Sequence, residues 1–117
     1  MEFKYKKNNS LEKRKEDFKK ASEGHPNKIP IICEKVPTSK VPDIDKSKYL
    51  INEEFTLTQF ISTIRKRLNL EKEQALFFLV NGNKSLTGED SMLVIYNKYK
   101  DEDGFLYIAY SSELVWG

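Results

Sequence analysis

Cys33 and His25 are the residues with which this chain could do nucleophilic or acid–base chemistry, and each is the only one of its type. A thiol becomes a useful nucleophile when a base or an electropositive niche converts it to thiolate. Cys33 falls in the middle of a predicted strand, and His25 precedes Pro26 in a predicted turn. They are therefore read as a small buried core residue and a surface turn residue. A lone cysteine gives neither an internal disulfide nor a multi-cysteine zinc site. The five glycines are scattered, so no phosphate-cradling loop is expected. Asp101-Glu102-Asp103-Gly104 is too short and wrongly spaced for a calcium loop and reads as a solvated turn. No catalytic residue, metal site or cofactor follows from these residues. The basic residues carry no nucleic-acid signature, and no nucleic acid is expected as a partner.

The chain has 117 residues, 38% hydrophobic and 32% charged, which suits one domain with a modest core. A net charge of +2 names no partner. Residues 1–20 carry eight Lys or Arg against four acidic residues. That is either a solvated helix surface or a preference for an acidic protein or lipid surface. The longest apolar run, Ala75 to Val80, is far short of the ~20 residues that cross a bilayer. The N-terminus lacks the apolar stretch of a signal peptide. A reducing, cytoplasmic setting is expected, and any membrane association must come from an anchor or a partner.

Hydrophobic periodicity lays out the elements that position these residues. Ser10 caps a predicted helix over about 11–22, with Leu11, Phe18 and Ala21 on one thin apolar stripe. So little apolar surface requires packing onto something larger. Gly24-His25-Pro26-Asn27 breaks that helix. Lys28–Lys35 reads as a strand, with Ile29, Ile31 and Cys33 on one side and Pro30, Ile32 and Glu34 on the other. Pro30 lacks an amide hydrogen, which predicts an edge or irregular position. A loop over 36–46 leads to a second strand at about 48–52. Thr56 and Gln59 form a capping box before the clearest helix, marked by Leu57, Phe60, Ile61, Ile64 and Leu68. A strand over 76–80 ends at the turn Asn81-Gly82. Met92, Ile95, Tyr96 and Tyr99 mark a short helix, and 105–110 is the last strand. From Lys28 the order is strand, strand, helix, strand, helix, strand, which fits an α+β roll with a central helix across one mixed sheet.

Several stretches carry a more specific likeness. They are Leu11-Glu12-Lys13-Arg14-Lys15, Lys28 to Lys35, Pro42 to Lys46, Lys48 to Ile51, Gln59-Phe60, Ile64 to Arg67, and Asp103 to Tyr107. In this order and spacing the chain resembles the autophagy ubiquitin-like modifiers. That family includes the yeast modifier and the mammalian GABA-receptor-associated and microtubule-associated light-chain proteins. The resemblance runs from about Leu11 to Tyr110. It implies a ubiquitin-like β-grasp with two additional N-terminal helices. Residues 1–27 would form the helical extension and 28–117 the ubiquitin-like domain with a flexible C-terminal tail.

The resemblance also implies two functions. The first is conjugation, with Gly117 matching the glycine that E1-like and E2-like enzymes join to phosphatidylethanolamine and that a cysteine protease releases. The chain is then a substrate rather than an enzyme, and Phe77 and Leu79 fall where the family meets its conjugation enzymes. Without the resemblance, Gly117 is simply a terminal residue. The second function is docking of cargo receptors through an aromatic-x-x-aliphatic peptide laid beside the strand at 48–52. The aromatic pocket carries over to Asp17, Ala21, Pro30, Ile32, Lys48, Leu50 and Phe105. The aliphatic pocket carries over to Tyr49, Ile51, Phe60, Thr63 and Arg67, with Lys46 as a charged flank. By pattern alone, Ile32, Leu50, Phe60 and Phe105 read as ordinary core rather than as pocket.

The chain departs from the family in places. Ala21 replaces a larger aliphatic residue, which implies a deeper pocket suited to Trp. Asn52 replaces a proline, Thr63 an aliphatic residue, Leu79 a Phe, and Trp116 a Phe. Residues 82–90 diverge. The expected setting is the cytoplasm, and the autophagosome or a related vesicle membrane when lipidated. The competing reading is a trafficking adaptor that uses the same pockets without a lipid.

Overall fold

The computed structural model describes residues 1–82 and 84–113. Along the chain run α1 (Lys4–Asn8), α2 (Leu11–Ser22), β1 (Lys28–Lys35), β2 (Lys48–Asn52) and α3 (Leu57–Leu68). They are followed by β3 (Phe77–Val80), β4 (Lys84–Ser85), α4 (Met92–Tyr99) and β5 (Leu106–Ser111). The strands form one mixed sheet in the order β2-β1-β5-β3-β4. At its centre β1 and β5 pair in parallel, with Ile31 opposite Leu106 and Lys35 opposite Tyr110. The other pairings are antiparallel.

The central helix forms where its sequence directs it. Gln59 donates its amide to the Thr56 hydroxyl at 3.2 Å, and Thr56 donates its own to the Gln59 side chain at 2.8 Å. That capping box satisfies two otherwise unpaired donors. Leu57, Phe60, Ile64 and Leu68 are the buried positions of α3. They pack against Ile31, Cys33, Phe78, Leu106, Ile108 and Tyr110 of the sheet. Tyr49, Phe60 and Phe78 run edge-to-face through this layer, with centroids 6.0 and 5.4 Å apart.

Every residue of β5 is buried, because the second face of the sheet is covered as well. Tyr5, Ile32, Phe105 and Tyr107 form a second cluster there, with Phe3 and Phe18 packed on it. The first turn of α1 has no side-chain cap of its own. Glu34 of β1 supplies one, accepting the amides of Lys4 at 2.7 Å and Tyr5 at 3.1 Å. A carboxylate suits a helix N-terminus, where amide hydrogens point outward.

No residue of α2 is fully buried, as its thin apolar stripe foreshadows. It is held by Phe18, which meets the Phe105 ring at 6.0 Å, and by Arg14, whose Nε donates to Asp103 at 2.8 Å. Asp103 corrects the expectation of a solvated turn. Its side chain is 0% exposed and also accepts from the Tyr107 hydroxyl and the Phe105 amide. Beside it, Gly104 adopts φ +100°, and a Cβ there would lie 2.5 Å from the Phe18 ring. Gly104→Ala combines a disfavoured dihedral with overpacking and is expected to cost about 2–4 kcal/mol. An unchanged urea midpoint would contradict this close approach.

Three further details differ from expectation. Pro30 is not on an edge strand, since β1 lies between β2 and β5. The β5 register begins only at Ile31, however, so Pro30 stands where that flank is unpaired. The last strand starts one residue later than predicted, and the third is Phe77–Val80. Periodicity located neither α1 nor β4, which are too short to show a period.

Candidate functional site

β2 is an edge strand: among the described residues it pairs only with β1. Its alternation turns Tyr49 and Ile51 inward and Lys48 and Leu50 outward. Leu50 remains 39% exposed. Beside it lies a cavity of about 330 Å³ lined by Ala21, Lys46, Lys48, Tyr49, Leu50 and Phe105. The wall from α2 is low because Ala21 contributes a single methyl group. Phe105 is held from behind by Tyr5, Ile32 and Phe18.

The rim is charged and internally paired. The Lys48 ammonium lies 3.7 Å from Asp17 and 4.7 Å from the centre of the Tyr5 ring. Asp17 accepts the Tyr5 hydroxyl at 2.7 Å and pairs with Lys13 at 3.0 Å. The Tyr5 hydrogen bond is the main cause that holds the Asp17 carboxyl below its ordinary range, aided by Lys13 and Lys48 against desolvation. Burial, then that same bond, pushes the Tyr5 hydroxyl up. Lys46 and Arg67 both face the Tyr49 ring, at 5.3 and 5.9 Å from its centre. Burial raises the Tyr49 hydroxyl to about 12, so it stays a donor, here to the Lys46 carbonyl at 2.6 Å.

The structure brings together Ala21, Lys48, Leu50 and Phe105 of the expected aromatic pocket, with Lys46 at their flank. Asp17 stands behind Lys48, and Ile32 lies beneath Phe105 in the same cluster. Pro30 pairs with Leu50 across the strands but lines a smaller neighbouring cavity with Phe18, Pro26 and Leu93. Of the expected aliphatic pocket, Ile51 and Phe60 are core side chains. The Thr63 hydroxyl donates to the Gln59 carbonyl at 3.0 Å, and Arg67 pairs with Asp45 at 3.1 Å. Phe77 is half-buried beside Ser111, and Leu79 is buried with Val36 and Ala109. Gly117 and Trp116 lie outside the described residues. Sequence reasoning missed Tyr5, whose ring and hydroxyl hold Lys48 and Asp17; no local signal marks it.

Cys33 is fully buried, and burial pushes its thiol up, away from the thiolate a nucleophile needs. Among the described residues, no group of three or more His, Cys, Asp or Glu is arranged to hold a metal. Nor is any helix among them long and apolar enough to cross a membrane.

A mixed sheet with one helix across its inner face and two helices packed in front defines a ubiquitin-like β-grasp protein. Comparison with known proteins makes the assignment narrower. Residues 13–117 match the family model of the autophagy protein Atg8, described as ubiquitin-like. The chain belongs to this Atg8 family of autophagy ubiquitin-like proteins. It is 46% identical to autophagy-related protein 8e of Arabidopsis thaliana over 97% of this chain and 92% of that protein. It is 42% identical to autophagy-related protein 8 of Mycosarcoma maydis over 97% and 95% of the two chains. The crystal structure of Trypanosoma brucei ATG8 superposes with a TM-score of 0.91 at 45% identity, covering all of both chains.

Proposed function

We propose that the chain is a modifier joined through the Gly117 carboxylate to the amine of phosphatidylethanolamine, and that it displays the β2 groove to cargo receptors on the resulting membrane. The observation that carries this reading is the open edge of β2 beside the cavity at Leu50, on a chain of the Atg8 family. An extended peptide adds backbone hydrogen bonds along such an edge and places alternate side chains in pockets. An aromatic side chain entering the cavity would contact Leu50 and Phe105, and acidic residues before it would meet Lys46 and Lys48. Tyr49, Thr63 and Arg67, with Ile51 and Phe60 beneath them, would receive the aliphatic residue. Residues 28–117 form the modifier unit in this reading, and residues 1–27 an extension packed on it.

Burying an aromatic ring removes about 150–250 Å² from water, roughly 4–6 kcal/mol at ~25 cal/mol per Å². Ordering the peptide opposes this by about 2–5 kcal/mol. Single-site affinity is therefore around micromolar, and many copies on one membrane supply the rest. In the conjugation step the glycine is first activated with ATP by an E1-like enzyme. It is then carried as a thioester on the E2-like cysteine. The lipid amine attacks that carbonyl, the amide forms and the thiol leaves. Glycine suits this because, lacking a side chain, it threads a narrow active site. Two acyl chains then anchor the product, and a deconjugating cysteine protease reverses the step. The protein is a substrate in this cycle, cytoplasmic when free and on autophagosomal membranes when lipidated.

The test is incubation with E1-like and E2-like enzymes, ATP and phosphatidylethanolamine liposomes, followed by mass spectrometry. A lipid amide on Gly117 is expected, and Gly117→Ala should form none. No adduct from enzymes active on a related modifier would overturn conjugation and favour a lipid-free trafficking adaptor that uses the same groove.

A further inference from the structure

The cavity beside β2 draws positive charge from Lys46 and Lys48, yet a carboxylate, Asp17, stands beside one of them. A carboxylate so placed competes with any acidic ligand for the same ammonium group. At 3.7 Å, however, Lys48 and Asp17 attract each other without the short contact of a hydrogen-bonded ion pair. The Lys48 side chain is 53% exposed, and its stem is long enough to close that gap. What fills the place it would take is Tyr5. The Asp17 Oδ2 atom that faces Lys48 is the same atom that accepts the Tyr5 hydroxyl at 2.7 Å. The other oxygen, Oδ1, pairs with Lys13 at 3.0 Å. A hydrogen bond donated to a carboxylate oxygen makes that oxygen a weaker base, so it offers less to a further cation.

Tyr5 is itself held from several sides. Its amide donates to Glu34 at 3.1 Å, and its carbonyl accepts the Asn9 side chain at 2.9 Å. Its ring meets Phe105 edge-to-face at 5.5 Å and lies 6.5 Å from Tyr107. The hydroxyl therefore reaches Asp17 from a fixed direction. The face of the same ring stands 4.7 Å from the Lys48 ammonium. An aromatic face attracts a cation but carries no net charge to neutralise it. One side chain of α1 thus does two things at the groove. It occupies the acceptor that would capture Lys48, and it gives Lys48 a resting place from which the charge stays available.

We propose that Tyr5 is a positioning residue that sets the groove's preference for acidic peptides, acting by keeping Asp17 occupied and Lys48 free. This rests on the docking reading above. Selectivity is a difference between two affinities, and a charge that competes inside the site lowers one of them. The effect of Tyr5 therefore belongs in the ratio of affinities for acidic and neutral peptides, whereas mere support of the fold would move both together.

The experiment titrates the full chain with a Trp-x-x-Leu peptide preceded by aspartates and with its counterpart preceded by asparagines, at one salt concentration. The parent should favour the acidic peptide. Tyr5→Phe keeps the ring and deletes the hydroxyl, so Lys48 closes on Asp17. The ratio should fall about threefold, the size of a partly exposed ion pair, mostly through weaker binding of the acidic peptide. Asp17→Asn removes the competing charge and should raise the ratio by about the same factor. Adding Tyr5→Phe to Asp17→Asn should then change the ratio no further, because the hydroxyl acts through the carboxylate. An unchanged ratio in Tyr5→Phe would overturn the role of Tyr5, as would an equal loss for both peptides. So would a parent that binds both peptides alike, or a Tyr5→Phe effect that persists in the Asp17→Asn background. Failure of the parent to bind either peptide would instead overturn the docking reading, and this inference with it.

Discussion

Asp103→Ala is expected to lower the unfolding free energy by about 3–5 kcal/mol, the cost of stranding a buried charge. Arg14 is 11% exposed and Asp103 fully enclosed, so solvent screens their pair weakly. Without the carboxylate, the Arg14 guanidinium retains only its bond to the Asn9 carbonyl, and the Tyr107 hydroxyl loses its acceptor. The Phe105 amide loses one too. Because α2 buries no residue completely, its attachment depends on a few side chains: this pair, Phe18, and Asp17 with Tyr5. The loss should therefore appear first as faster amide exchange in α2, and then as a lower urea midpoint. A change below about 1 kcal/mol would mean that Arg14 swings to water and that Phe18 and Asp17 suffice to hold the helix.

Leu50→Asp should weaken binding of a Trp-x-x-Leu peptide by at least thirtyfold, about 2 kcal/mol, in a calorimetric titration. The substitution removes apolar area from the mouth of the cavity. It also places a carboxylate in the cavity that Lys46 and Lys48 line, where it would compete with acidic flanking residues of the peptide for those ammonium groups. Leu50 is partly exposed and belongs to neither buried cluster on the two faces of the sheet, so the fold should hold and the melting temperature should shift little. Phe105→Ala would be the poorer test, since its ring also supports Tyr5 and Phe18. Unchanged affinity would place the aromatic anchor somewhere other than this groove.

The residues themselves determined the parts of this protein that obey local rules. The capping box at Thr56 and the spacing of Leu57, Phe60, Ile64 and Leu68 specify α3 without reference to anything distant. The turn Asn81-Gly82 has positive φ at both positions, as its residue types predict. Alternation in β1 correctly divided Ile29, Ile31 and Cys33 from Ile32. Resemblance supplied what periodicity could not, namely the family and the set of groove positions.

Only the tertiary structure decided which polar groups are buried. Asp103 reads as one of three acidic turn residues until Arg14, 89 positions upstream, is brought against it. Glu34 reads as the outer face of a strand until α1 places its first amides on the carboxylate, and Ser39 as loop until Ser112 reaches it. The reason is physical. Helix and strand periods record interactions within a few residues, whereas the cost of burying a charge or hydroxyl is set by partners that the chain meets only on folding.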